Sequence, residues 1–140
     1  MGKIEVGLKG IKEMEVEEKD LASFMGNIGV DVLSTHRVVL LMEQAARKAI
    51  EGRVPEGKIT VGTLIRIRHL AATPLGSKVT AEARLREVDR GRLVFDVMVY
   101  DAFEKISEGV NELFIISAEK FLGKVKKKQV KLSDQRSELL

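Results

Sequence analysis

The sequence predicts an α+β domain in which an antiparallel β-sheet wraps around one long central α-helix. Three observations lead there. One helical stretch near residue 40 is apolar on nearly every side, alternating segments follow it with turn signals roughly every 10–15 residues, and no helical stretch separates those segments. The 140 residues, 44% of them hydrophobic and 32% charged, fit one folding unit with a sizeable core.

In chain order, residues 3–8 alternate weakly and suggest a first strand. Residues 11–20 (IKEMEVEEKD) suit either a charged extended segment or a short helix, and SFMGNIGVDV reads as a loop carrying apolar side chains. Ser34 or Thr35 then caps a helix that Val38 through Ala46 carry and Gly52 ends. Val38, Val39, Leu40, Leu41 and Met42 are consecutive apolar residues, the mark of a helix buried all round rather than an amphipathic surface helix.

Beyond Gly57 the period changes to two. Ile59, Val61, Thr63, Ile65, Ile67 and His69 fall on one face of a strand, with Arg66 and Arg68 on the other. TPLG at 73–76 forms a turn with proline second and glycine fourth. A second strand places Val79, Ala81, Ala83 and Leu85 inward; after Asp89, Arg90 and Gly91 a third carries Leu93, Phe95, Val97 and Val99. The last sets Val110, Phe114 and Ile116 on one face, and the strands are expected as a meander of antiparallel neighbours. One sheet around one helix is the hotdog arrangement. Its open edge calls for cover, which a second copy of the chain related by twofold symmetry supplies most simply.

Composition narrows the chemistry. With no cysteine, the chain has no disulfide, thiol nucleophile or thiolate metal site, and two histidines, His36 and His69, leave no histidine-rich metal centre either. The net charge of +3 is unevenly placed: residues 120–131 hold six lysines and no acid. Such a run suits phosphate groups or is simply a solvated end. No interleaving of basic and aromatic residues marks a nucleic-acid surface, so no nucleic-acid partner is expected. No apolar run is long enough to span a membrane, and the N-terminus lacks the apolar core of a signal peptide. The expected setting is cytoplasmic, without membrane contact.

Three side chains remain as candidates. Glu43 is the only ionisable residue from Val38 to Ala46, and a carboxylate among apolar neighbours is costly unless paired. It is either a reactive group or a structural one that reaches the surface or meets an arginine. His69 shares its strand face with Ile65 and Ile67 at the end leading to a turn, either as a core histidine or as a base working near neutral pH. Thr35 is either an ordinary helix cap or a hydroxyl placed beside backbone N–H groups that stabilise an oxyanion. Thr35 and Glu43 are eight residues apart, about 12 Å along a straight helix. A site holding both needs Thr35 folded back in the preceding loop, or residues from two protomers.

The segments VLSTHRVVLLMEQA, TVGT, HLAATPLGSKVTAEARLREVDRGRLVFDV, YDAFEKISEGVNE and EKFLGKVKKK together resemble the fluoroacetyl-CoA thioesterase family of hotdog proteins. His-x-Ala-Ala-Thr-Pro-x-Gly, from His69 to Gly76, is the most specific part of the resemblance. It implies a hotdog thioesterase domain over residues 1–125, followed by a basic C-terminal tail at 126–140. It also implies hydrolysis of a short-chain acyl-CoA by a Thr35, Glu43 and His69 trio at the interface of a homodimer or a higher oligomer. Gly62 would line the acyl pocket, and Phe24 is the candidate for the family's aromatic lid. Coenzyme A enters only as part of the substrate, with no separate cofactor and no metal. Two departures concern acyl selectivity: Gln44 stands where the family enzyme has tryptophan, and Leu113 where it has arginine. A non-catalytic acyl-CoA-binding module and a hydratase or dehydratase on the same fold are the alternatives.

Overall fold

The computed structural model describes residues 2–139. Strand β1 (Lys9–Glu15) is followed by a 3-10 turn (Glu18–Asp20) and helix α1 (Thr35–Ala49). Strands β2 (Lys58–His69), β3 (Lys78–Asp89), β4 (Arg92–Tyr100) and β5 (Lys105–Ser117) come next, and helix α2 (Ala118–Leu139) closes the chain. Residues 3–8 are not the first strand, because a turn at Gly7, with φ at +102°, interrupts them. The strand begins two residues later, and the 11–20 segment divides into its extended end and the 3-10 turn.

The five strands make one antiparallel sheet in the order β1-β3-β4-β5-β2, wrapped against α1 in the hotdog arrangement. β3, β4 and β5 form the expected meander, but β2 does not neighbour β3. It pairs with β5 at the far edge, while β1 occupies the open side of β3. Residues 70–77 form a crossing rather than a hairpin. They are tied down by Leu33 N–H on Thr73 O at 2.8 Å, by Leu70 N–H on Ile106 O at 2.7 Å, and by the buried Thr73 hydroxyl donating to Asp101. A turn signal reports the local bend, not which strands the bend joins.

α1 buries Val38, Leu41, Met42, Ala45, Ala46 and Ala49 against the sheet, the 3-4 spacing of one helical face. The expectation of burial on all sides is corrected here: Leu40 is 45% exposed and Val39 half-buried, because the chain's own sheet covers one side of the helix only. Small residues set how close that side comes. Gly10 of β1 lies against the backbone of Ala45 and Ala49, where any β-carbon would collide.

Ser34, not Thr35, is the cap. Its hydroxyl accepts the Arg37 N–H at 3.1 Å, and Thr35 is the first helical residue. Ser34→Ala is expected to cost about 1 kcal/mol of stability, whereas Thr35→Ala, at an exposed position, stays within about 0.5 kcal/mol. Denaturant titration of both variants checks this pair. The loop before the helix is fastened by Asp20, which is 3% exposed and accepts from Arg37 Nε at 3.1 Å and from Glu17 N–H at 2.8 Å.

β2 contains a bulge between Gly62 and Leu64. The extra residue switches the alternation, so the single face expected from Ile59 to His69 does not exist. Gly62, Ile65, Ile67 and His69 face α1, paired with Leu113, Asn111, Gly109 and Ser107 of β5, while Ile59 and Val61 turn outward with Ile116 and Phe114. On β5 the face towards the helix is therefore not the one that carries Val110, Phe114 and Ile116. α2 has no buried residue, and its lysines are exposed. Among the described residues no helix is long and apolar enough to cross a membrane.

Candidate active site

Thr35 and His69 meet. The first residue of α1 and the last of β2 lie side by side, with Thr35 Oγ1 and His69 Nδ1 2.9 Å apart in a hydrogen bond. The capping work falls to Ser34, so the Thr35 hydroxyl is left to the imidazole. Burial pushes the His69 pKa below its ordinary 6.5, because the charged form is poorly solvated there. The imidazole is thus neutral at pH 7. Its Nε2 is buried without a hydrogen-bond partner. A cavity of about 350 Å³ opens beside the pair, lined by Val32, Thr35, His69 and residues 70–72.

Glu43 is not with them. It lies two turns further along α1, half-buried, with its carboxylate accepting from Arg47 Nη2 at 2.7 Å. The i,i+4 spacing of Glu43 and Arg47 makes this partner legible in the sequence. The other side of the carboxylate faces β2: a β-carbon on Gly62 would stand 3.0 Å from Glu43 Oε1. Gly62 therefore gives the carboxylate its room, at the start of the bulge. Glu43, Gly62, Val39, Ile65 and Asn111 line a second cavity of about 290 Å³ between α1 and the β2–β5 edge. Since Thr35 belongs to the helix and not to the loop before it, the fold-back route to a complete trio within one chain is closed.

Phe24 is 69% exposed in the 21–33 loop, beside the also exposed Met25 and Ile28, and projects from the protomer rather than lining the cavity at Thr35. His36 is exposed, as are Arg66 and Arg68 on the outer face of β2, while Arg37 is committed to Asp20. Asn111 escaped the sequence reading. The signal was its place between Gly109 and Leu113 on the inward face of β5, a polar residue where alternation asks for an apolar one.

The comparisons with known proteins converge. The family model of the fluoroacetyl-CoA-specific thioesterase matches residues 16–119. This chain belongs to that family. It is 35% identical over 120 residues to the fluoroacetyl-CoA thioesterase of Streptantibioticus cattleyicolor, covering 86% of this chain and 83% of that protein. A solved structure of the fluoroacetyl-CoA thioesterase FlK superposes with a TM-score of 0.84 at 30% identity, covering 91% of this chain and 98% of the other. A threonine-to-serine variant of FlK in complex with acetyl-CoA gives 0.81 at 31% identity, over 89% and 98% of the two chains. A Thermus thermophilus protein of the thioesterase superfamily gives 0.88 at 25% identity, over 96% and 99%. Membership of the fluoroacetyl-CoA-specific thioesterase family makes the chain a thioester hydrolase and assigns it the family's hotdog fold.

Proposed function

We propose that the protein hydrolyses short-chain acyl-CoA thioesters at sites shared between two protomers, with Thr35 and His69 contributed by one and Glu43 by the other. The observation that carries this reading is the 2.9 Å contact between Thr35 Oγ1 and a neutral His69, a hydroxyl with its base already in place. The acyl-CoA class is supported by the family and by the relative solved with acetyl-CoA. Sharing is supported by geometry. Thr35 and Glu43 stand about 12 Å apart on one rigid helix, and His69 Nε2 is left without a partner in its own chain. A symmetric partner laid along β2, the edge strand that carries His69, would bring a second Glu43 to the first His69. It would also cover Leu40, Leu64 and Ile65, which stand exposed beside that edge.

In the mechanism, His69 takes the proton of the Thr35 hydroxyl, or of a water that hydroxyl holds, and the oxygen adds to the thioester carbonyl. Helix-start N–H groups not used by the cap receive the oxyanion. The C–S bond then breaks and the histidinium returns its proton to the departing thiolate. Where Thr35 itself attacked, a water deprotonated by His69 next adds to the Thr35 ester, the C–O bond to Thr35 breaks with that proton returned to its hydroxyl, and the acid leaves. Glu43 across the interface fixes the imidazole through Nε2. Arg66 and Arg68, exposed on β2 beside His69, are the nearest cations available to the CoA phosphates, the α2 lysines starting at the other end of that strand, and Phe24 would close over the acyl group from the partner's side. The protein would work without a cofactor or metal, in the cytoplasm.

Two measurements test this reading. Release of free CoA from acetyl- and propionyl-CoA separates hydrolysis from mere binding. A purified mixed dimer of one His69→Ala chain and one Glu43→Gln chain is expected to recover about half the wild-type rate, because one of its two sites is intact under twofold symmetry. A mixed dimer as inactive as either parent would place the trio within one chain and overturn the shared site.

The pH profile gives a further expectation. Burial lowers the His69 pKa in the single chain and the facing Glu43 carboxylate would raise it, so kcat/KM falls as the pH drops through the value the two effects set together. Removing the facing negative charge in Glu43→Gln moves that point lower. A profile of both enzymes between acid and neutral pH shows it, and an unmoved midpoint would separate Glu43 from His69.

A further inference from the structure

We propose that Asn111 is a specificity-determining residue that receives a hydrogen bond from a hydroxyl on the acyl chain, so that short hydroxyacyl-CoA thioesters are the preferred substrates. The inference rests on the acyl-CoA hydrolase reading above and adds the class of acyl group.

Asn111 is 2% exposed, and its Oδ1 has no hydrogen-bond partner. Buried amides are nearly always satisfied, so an orphaned one asks for an explanation. Its own sheet supplies none. Across the ladder it faces Phe95 on β4 and Ile65 on β2, and along β5 its same-face neighbours are Gly109 and Leu113, none with a polar side-chain atom. The remaining direction is the cavity of about 290 Å³ that Asn111 lines with Val39, Glu43 and Gly62. Glu43 accepts from Arg47 and, in the reading above, from the imidazole across the interface. Thr63, the other polar side chain on the cavity wall, donates to Glu112 at 2.7 Å, so the acceptor left unpaired there is Asn111 Oδ1, and a ligand that brings a donor completes it. Hydrocarbon and fluorine carry no such hydrogen. A hydroxyl does, and it can also accept from the amide N–H if the group is turned over. A site with a buried polar group discriminates strongly against the isosteric substrate that leaves it unpaired.

The test uses isosteric pairs, glycolyl- against propionyl-CoA and 3-hydroxybutyryl- against isovaleryl-CoA, with the full-length protein and with Asn111→Leu. Wild type is expected to favour the hydroxylated member of at least one pair by about tenfold or more in kcat/KM, and Asn111→Leu to bring that ratio close to one. Asn111→Leu is also expected to melt no lower than wild type, since an unpaired amide is exchanged for an apolar side chain of similar size. Equal rates within both pairs in wild type, or a preference that survives in Asn111→Leu, would overturn the proposal while leaving the hydrolase reading intact. An unchanged ratio with a weakened dimer would assign the amide to the subunit contact and overturn it equally. If wild type hydrolyses none of the four, the hydrolase reading falls, and this proposal with it.

Discussion

Replacing His69 with alanine is expected to lower kcat/KM on a short acyl-CoA by about 10²–10⁴-fold, the range a positioned general base contributes. Among the described residues the imidazole is the one titratable group hydrogen-bonded to the Thr35 hydroxyl, and burial favours its neutral, proton-accepting form. Nothing nearby can replace it. His36 is exposed and lies one position on, about 100° around the helix, and the Glu43 carboxylate of the same chain is occupied by Arg47. The fold should survive, because His69 stands at the end of an edge strand and Thr35 is exposed to water once the ring is gone. Steady-state kinetics with circular dichroism on the same sample decides it. An undiminished rate in a folded variant would remove His69 from the mechanism.

A second substitution acts on stability instead. Gly10→Val should destabilise the protein by about 3 kcal/mol, the upper part of the usual range for overpacking. The β-carbon would run into the carbonyl of Ala45 and the amide of Ala49, backbone atoms that cannot swing aside as a side-chain end can. Relief requires β1 to lift from α1. That would open the contact where Ala45, Ala46 and Ala49 are buried, and strain the pairing of Gly10 with Ala83. A denaturant midpoint close to wild type would mean that β1 docks more loosely than this packing implies.

Much of the architecture was legible because hydrophobic periodicity is a local property. The helix from Thr35, the strands β2 to β5 and the turn at Asp89 to Arg92 follow from side-chain spacing and punctuating glycines. The candidate trio was legible as residue types out of keeping with their apolar surroundings. Partnership was harder. Ser34 and Thr35 are equivalent caps by composition, and only the approach of β2 shows which hydroxyl is taken by the helix and which by His69. The bulge at Gly62 hid the outward turn of Ile59 and Val61 on β2, since one inserted residue reverses the side chains beyond it, while Asn111 was hidden because Val110, Phe114 and Ile116 made the opposite face of β5 look like the buried one.

The sequence by itself determined the helix, the number and length of the main strands, the family resemblance and the residues with chemistry to offer, because each depends on neighbours a few positions away. Tertiary structure alone decided that β2 crosses to β5, that one face of α1 is left uncovered, and that Thr35 joins His69 while Glu43 turns to Gly62 and Arg47. Those facts depend on which distant backbone edges pair and which surfaces they cover, a competition among long-range contacts that no local pattern records.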